Sequence, residues 1–206
     1  MAIKVGNYLV DPKAFLAPDL YISRGNSKTG NIPTFSLPAV LTCPGMTPYC
    51  QKICYARRDE RRFPNVKIAR LRNLVYVVNH PDEWKKAVIL WIKKYKPKYF
   101  RVHEGGDFFA QSYLEDWFYI AESCPETRFM AYTKSFHLDY SKKPDNFVIY
   151  WSIMPDTPKE KIPKQGLYAY TDCGPSSAFR CPYKAVPCST CLYCYLGLGD
   201  VRFTRH

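Results

Sequence analysis

The clearest periodicity lies in the middle of the chain. From residue 65 to 78, apolar side chains recur at Ile68, Leu71, Val75 and Val78, the three-and-four spacing of one helix face. Asn79-His80-Pro81 ends that helix and begins a second, with Pro81 suited to the first helical position and Asp82 and Glu83 to the positive end of the dipole. Trp84, Ala87, Val88, Trp91 and Ile92 make its apolar face, and Lys85, Lys86, Lys93 and Lys94 lie largely off it. A third helix is predicted over 111–123, with Leu114, Trp117, Phe118 and Ala121 inward and Pro125 beyond its end. Four short apolar runs, at 99–103, 128–132, 147–151 and 167–171, read as buried strands, and a fifth, at 39–42, leads into Cys43. The first forty residues predict extended pieces at 3–10, 20–23 and 34–37, with 24–31 a flexible loop. That loop has no Gly-Lys-Thr/Ser ending, which sets phosphate-loop chemistry aside.

Strands alternating with helices predict βαβ units and a parallel sheet. Connections after the middle strands are short, so the later helices shrink to a turn or two. The expected fold class is α/β, as a partial (β/α) barrel or a curved parallel sheet. An irregular N-terminal extension (1–38) would precede the partial barrel (39–172), and a cysteine-rich tail (173–206) would follow it. Several strand ends carry polar or reactive groups: Thr42-Cys43, His103-Glu104-Gly105-Gly106-Asp107, Tyr132-Thr133-Lys134-Ser135, Ser152-Ile153-Met154 and Thr171-Asp172-Cys173. In α/β folds the carboxyl ends of parallel strands point into a shared site.

Bulk properties narrow the setting. A chain of 206 residues can bury one sizeable core, and 47% hydrophobic residues exclude a disordered or collagen-like bias. The first residues lack a basic segment followed by an apolar run, and no stretch approaches the ~20 apolar residues of a membrane span. A cytoplasmic protein without a membrane partner is expected. The formal charge of +12 favours polyanionic partners, so nucleic acid or another anionic substrate is a candidate. The basic run Arg57-Arg58-Asp59-Glu60-Arg61-Arg62, continued by Lys67, Arg70 and Arg72, follows the first cysteine group and could steer such a partner toward it.

The cysteines carry the chemistry. Of nine, three lie at Cys43, Cys50 and Cys54, five lie at Cys173, Cys181, Cys188, Cys191 and Cys194, and Cys124 stands alone as a core filler. Clustering of this kind in a reducing compartment points to metal ligation rather than disulfides. The first group, C-x6-C-x3-C, offers three thiolates and leaves one coordination position open. Cys181, Cys188, Cys191 and Cys194, at C-x6-C-x2-C-x2-C, offer four and can close a tetrahedral or cubane site. Successive x2 spacings favour [4Fe-4S] there, with zinc as the alternative. His103 and Glu104 are candidate proton-handling residues, with a hydrogen-bonded strand-end role the alternative for His103; Cys173 faces the first cluster or a substrate, replaces Cys181 as a ligand, or fills core space. Lys134 and Asp172 are weaker candidates.

The loop 43–55, the strand end His103-Glu104-Gly105-Gly106-Asp107-Phe108-Phe109, the Tyr132-Thr133-Lys134-Ser135 segment and the tail resemble the phage gene product 88 domain family. That family in turn resembles an outlying relative of the radical S-adenosylmethionine enzymes. The likeness covers roughly residues 35–195. It implies that Cys43, Cys50 and Cys54 hold a [4Fe-4S] cluster, and that Gly105, Gly106 and Asp107 contact S-adenosylmethionine at the open iron. The tail then corresponds to an auxiliary [4Fe-4S] cluster. Such an enzyme needs an electron donor protein or a small reductant. The alternatives are a two-cluster electron-transfer protein without catalysis and a zinc-stabilised nucleic-acid-binding module.

Overall fold

A computed structural model describes residues 20–204 together with the backbone of two N-terminal strands, β1 (Ile3–Val5) and β2 (Tyr8–Val10). These two pair antiparallel as a separate hairpin. The main sheet has eight strands: β3 (Ile22–Ser23), β4 (Thr34–Phe35), β5 (Tyr99–Val102), β6 (Arg128–Thr133), β7 (Phe147–Ile153), β8 (Leu167–Thr171), β9 (Phe179–Arg180) and β10 (Val201–Phe203). Their spatial order is β3-β4-β5-β6-β7-β8-β10-β9. Only β3 with β4 runs antiparallel; every other neighbouring pair is parallel.

Among the described residues seven α-helices accompany the sheet: α1 (Pro48–Ile53), α2 (Tyr55–Arg62), α3 (Pro64–Asn79), α4 (Pro81–Tyr95), α5 (Gln111–Glu122), α6 (Cys188–Cys191) and α7 (Tyr193–Leu196). The three periodic segments became α3, α4 and α5. Pro81 opens α4 as expected, and Lys96 closes it in the left-handed conformation. Between β7 and β8 only a single 3-10 turn forms, at Lys159–Lys161, in keeping with the short connection.

The sheet is buried on both faces, which explains why its strands read as continuous apolar runs rather than as alternation. On one face Phe100, Val102, Phe129, Ala131, Phe147 and Ile149 pack with Trp84, Trp117, Leu114 and Phe118 from α4 and α5. On the other, Met130, Val148, Tyr150 and Ala169 pack with Ile32, Val201 and Tyr195 of α7. The cysteine-rich tail is thus the second layer covering the sheet. Among the described residues no helix is long and apolar enough to cross a membrane.

Several expectations change here. Of the two architectures expected for the α/β class, the open and mostly parallel sheet is the one formed, with β3 and β9 at its edges. The run 39–42 is a turn, not a strand: Val40 takes a left-handed φ of 72°, and Thr42 N donates back to Pro38 O. A β-branched residue rarely adopts that conformation. The strand preceding the cysteine loop is β4. Residues 24–31 form a tight reversal in which Asn26 Oδ1 accepts from the amides of Lys28 and Thr29. This reversal docks on the tail, where Cys188 N donates to Lys28 O at 2.8 Å. The division at 38 and 172 does not divide the sheet, because β3, β4, β9 and β10 lie outside it and join the same eight strands.

Candidate functional site

After β4 the chain reverses and enters α1, where the first cysteines are fixed by helix ends. Thr47 caps α1 by accepting from Cys50 N at 3.2 Å. Cys54 lies between the two helices, and its sulfur caps α2 by accepting from Arg57 N at 3.4 Å. Asp156, beyond β7, holds the start of α1 by accepting from Thr47 Oγ1 at 2.6 Å and from Tyr49 N at 2.7 Å. Two glycines permit close approach. A Cβ on Gly45 would lie 1.9 Å from Lys134 O, and one on Gly106, at φ +84°, would lie 2.6 Å from Leu37 Cβ and Thr42 Oγ1.

These constraints bring Cys43, Cys50, Cys54, Gly105, Gly106 and Asp107 to the wall of one cavity of about 180 Å³. It lies at the carboxyl ends of β5, β6 and β7, where the parallel topology predicted a shared site. Lys134 joins them: its Nζ donates to Ser152 Oγ at 2.8 Å and is within hydrogen-bonding reach of Cys50. Asp107 is buried, with Oδ1 accepting from Thr133 Oγ1 at 2.6 Å and Phe108 N at 2.8 Å, and Oδ2 from Lys134 N at 2.8 Å. Burial nevertheless keeps its carboxyl above the usual carboxylate range. Burial, followed by the nearby Asp107, pushes the Cys43 thiol up to about 12. Cys50 is raised too, by burial, with Lys134 opposing. Without a cation Cys43 and Cys50 stay protonated, and a bound metal would reverse that.

The candidate proton-handling residues His103 and Glu104 both border this cavity, in different surroundings. His103 has a left-handed φ of 67°, and its ring lies in the aromatic core, 5.0 Å from Phe108 and 5.7 Å from Tyr113. Nε2 is 2.8 Å from Tyr113 Oη, and burial followed by Arg101 depresses the imidazole to about 3. Burial and the contact with Tyr113 favour the neutral form of the ring. Glu104 reaches the cavity wall, its carboxylate accepting from Asn26 Nδ2 at 2.6 Å. Cys173 is not brought in: it follows β8, its thiol directed at Ile153 O at 3.6 Å. Nearby, Asp172 accepts from Tyr49 Oη at 2.8 Å.

Cys181, Cys188, Cys191 and Cys194 surround a separate, smaller cavity of about 30 Å³. They sit on the connection from β9 to β10, where α6 and α7 are joined by Leu192 in the left-handed conformation. Burial raises the Cys194 thiol to about 12, and the Tyr132 hydroxyl lies within hydrogen-bonding reach of it. The two cavities share a wall of Lys28, Arg101, Tyr132 and Phe203. Among the described residues no three His, Cys, Asp or Glu side chains converge on the position of a single metal ion. The thiols of each group line a cavity instead. Lys28 and Arg101 escaped the reading of the sequence. The available signal was a lone charge inside the otherwise uncharged strand β5, Tyr-Phe-Arg-Val.

No solved structure matches the chain. Curated relatives include the Gene 88 proteins of Mycobacterium phage L5, 30% identical, and Mycobacterium phage D29, 29% identical. Each alignment covers 64% of this chain and 61% of the relative, so the match spans less than two thirds of those proteins. The gene product 88 profile matches residues 19–170, taking in β3 to β7, all but the last residue of β8, and the Cys43 cavity except Thr171, Phe203 and Thr204, and the chain belongs to that family.

Proposed function

We propose that the chain is an iron–sulfur enzyme whose chemistry takes place in the Cys43 cavity. One observation carries this reading: three cysteines of the loop and helix after β4, a Gly-Gly-Asp turn after β5 and a lysine after β6 line one cavity, while four other cysteines line a second. Cys43, Cys50 and Cys54 are the ligands of a [4Fe-4S] cluster, with one iron left for a small cosubstrate. Such a cluster, when bound, supplies one electron to that cosubstrate, as in the radical S-adenosylmethionine enzymes that the cysteine loop resembles. The protein's own residues prepare the place. Gly106 lets the backbone approach closely, Asp107 offers an acid fixed by three hydrogen bonds, and Lys134 supplies a cation beside Cys50. Met46, Ile53 and Met154 add apolar wall that limits water.

The tail cysteines hold the second cluster in this reading, in a structural or relay role. The shared wall supports the relay: Arg101 lies 4.4 Å from the Tyr132 ring, and Tyr132 reaches Cys194. A two-cluster electron-transfer protein without catalysis is the second reading, favoured by that same wall.

Anaerobic purification with iron, sulfide and zinc assays tests the first step. Iron and sulfide in both sites are expected, and Cys50→Ala is expected to remove about half the iron. Colourless protein holding zinc alone would exclude both readings. A change in the EPR spectrum of the reduced protein on adding S-adenosylmethionine separates them, since the relay protein has no use for that ligand.

A further inference from the structure

Beside the Cys43 cavity lies a larger cleft of about 600 Å³, within the ~300–1,000 Å³ of small-ligand sites. The two share Lys28, Tyr55, Arg101 and Glu104, so the cleft opens onto the cavity. Lys28 and Arg101 also border the tail cavity and therefore stand where all three meet.

Arg101 is the unusual member. It is only 8% exposed, its Nε donates to His103 O at 3.0 Å, and its guanidinium lies over the Tyr132 ring. Among the described residues no carboxylate lies within ion-pair distance of it. A second cation lines the same junction: Lys28, whose ammonium packs over the rings of Tyr55, Tyr183 and Phe203. Two acids border the cleft as well, but the Glu104 carboxylate is engaged by Asn26 Nδ2, and Asp59 belongs to α2. Arg58 adds a further exposed cation on that helix. Rings complete the lining: Tyr55 borders the junction, and Tyr21 and Phe63 are 55% and 47% exposed, with Arg62 lying over one face of Phe63. A double cation at the inner end and exposed rings in the same cleft fit a ligand with a dianionic head and a flat π-system.

We propose that this cleft binds a nucleoside monophosphate, its phosphate at Lys28 and Arg101 and its base against Tyr21 and Phe63. That this ligand is the substrate class presented to the Cys43 cavity rests on the function proposed above; the binding itself does not. Phosphate contacts from charged donors contribute enough that losing one weakens binding by ~10-fold or more.

Isothermal titration of the full chain with adenosine 5′-monophosphate, uridine 5′-monophosphate, adenosine and inorganic phosphate tests it. Both nucleotides are expected to bind, with adenosine and inorganic phosphate each weaker by ~10-fold or more. Arg101→Gln and Lys28→Gln should each weaken the nucleotides to a similar degree, and Tyr21→Ala and Phe63→Ala a few-fold. Lys28 is only half-buried, so Lys28→Gln reports on the phosphate even where Arg101→Gln disturbs folding. Equal affinity for adenosine and its monophosphate would overturn the proposal. So would absence of nucleotide binding, no effect of Lys28→Gln, or far tighter binding of an octathymidylate, which would make the cleft a single-strand groove. Iron measured on the same sample keeps the two readings apart. Iron-free protein that binds nucleotide leaves the cleft standing and removes the cluster; iron-loaded protein that binds none does the reverse.

Discussion

The two faces of the sheet are covered in different ways. One carries α4 and α5 over a continuous aromatic core in which Trp84, Trp117, Phe35 and Phe100 lie 5.4–5.9 Å apart. The other carries the tail, with Tyr195 and Val201 against a smaller apolar cluster and four thiols at its rim. The family match ends at residue 170, so it takes in the helical face and its three-cysteine cavity but stops before the tail cysteines. A wide core can hold an open cavity rigid, because the strand ends around it cannot shift separately. A thin layer on short helices has little packing of its own, and four ligands closing on a cluster would compensate for that.

The largest expected effect concerns the helical face. Trp117 is fully buried and touches rings from four elements, so Trp117→Ala is expected to cost about 3–5 kcal/mol. Urea denaturation should show a much lower midpoint for the whole chain; an unchanged midpoint would mean that the tail face, not this one, carries the stability.

The pH dependence comes next. The folded His103 imidazole titrates at about 3 against an ordinary 6.5, so between those values the unfolded chain holds the extra proton. Its contribution is complete above 6.5 and falls as the pH drops, by roughly 1 kcal/mol per pH unit. His103→Asn tolerates the left-handed backbone and should flatten that slope in denaturation curves between pH 4 and 7. A slope equal to that of the wild type would return His103 to the list of solvent-facing groups.

Gly106→Ala forces a Cβ against Leu37 and Thr42 at φ +84° and is expected to cost about 1–3 kcal/mol. In anaerobically prepared protein it should lower the iron of the first site and spare the tail; loss from both would erase the contrast between faces. The smallest effect belongs to Tyr132→Phe, which removes the hydroxyl beside Cys194 for about 1 kcal/mol. The sharper readout is the reduction potential of the tail cluster, expected to shift while the first site keeps its own. A shift confined to the first site would reverse the assignment of that tyrosine.

How much of this the sequence revealed depended on the kind of interaction. Helices α3 to α5 were legible because their apolar faces repeat over several turns, and Pro81 and Pro125 mark boundaries. The four central strands were legible as apolar runs, although the pattern could not show that two layers bury them. Val40 misled, since Ala-Val-Leu reads as a strand and only the tertiary reversal forces its φ positive. β9 and β10 were too short to announce themselves. The meeting of Cys43, Cys50 and Cys54 with Gly105, Gly106 and Asp107 followed from parallel topology. The direction of the His103 ring did not, because it turns on one backbone angle. Lys28 and Arg101 meet at a junction between residues far apart in the chain, which no local pattern encodes.

The strand order at the tail has a consequence for how the molecule assembles and opens. β9 comes earlier in the chain than β10, yet it pairs only with β10 and reaches the sheet through it. Until β10 docks on β8, β9 has no strand to pair with, and the connection between them has only its contacts with the sheet face and with Lys28. These residues therefore form one cooperative unit that joins last and detaches first, a foldon separable from the rest. Native-state hydrogen exchange should find the amides of β9, α7 and β10 opening together at a lower free energy than those of β6 and β7. Equal protection in both groups would mean that the tail and the core open as one.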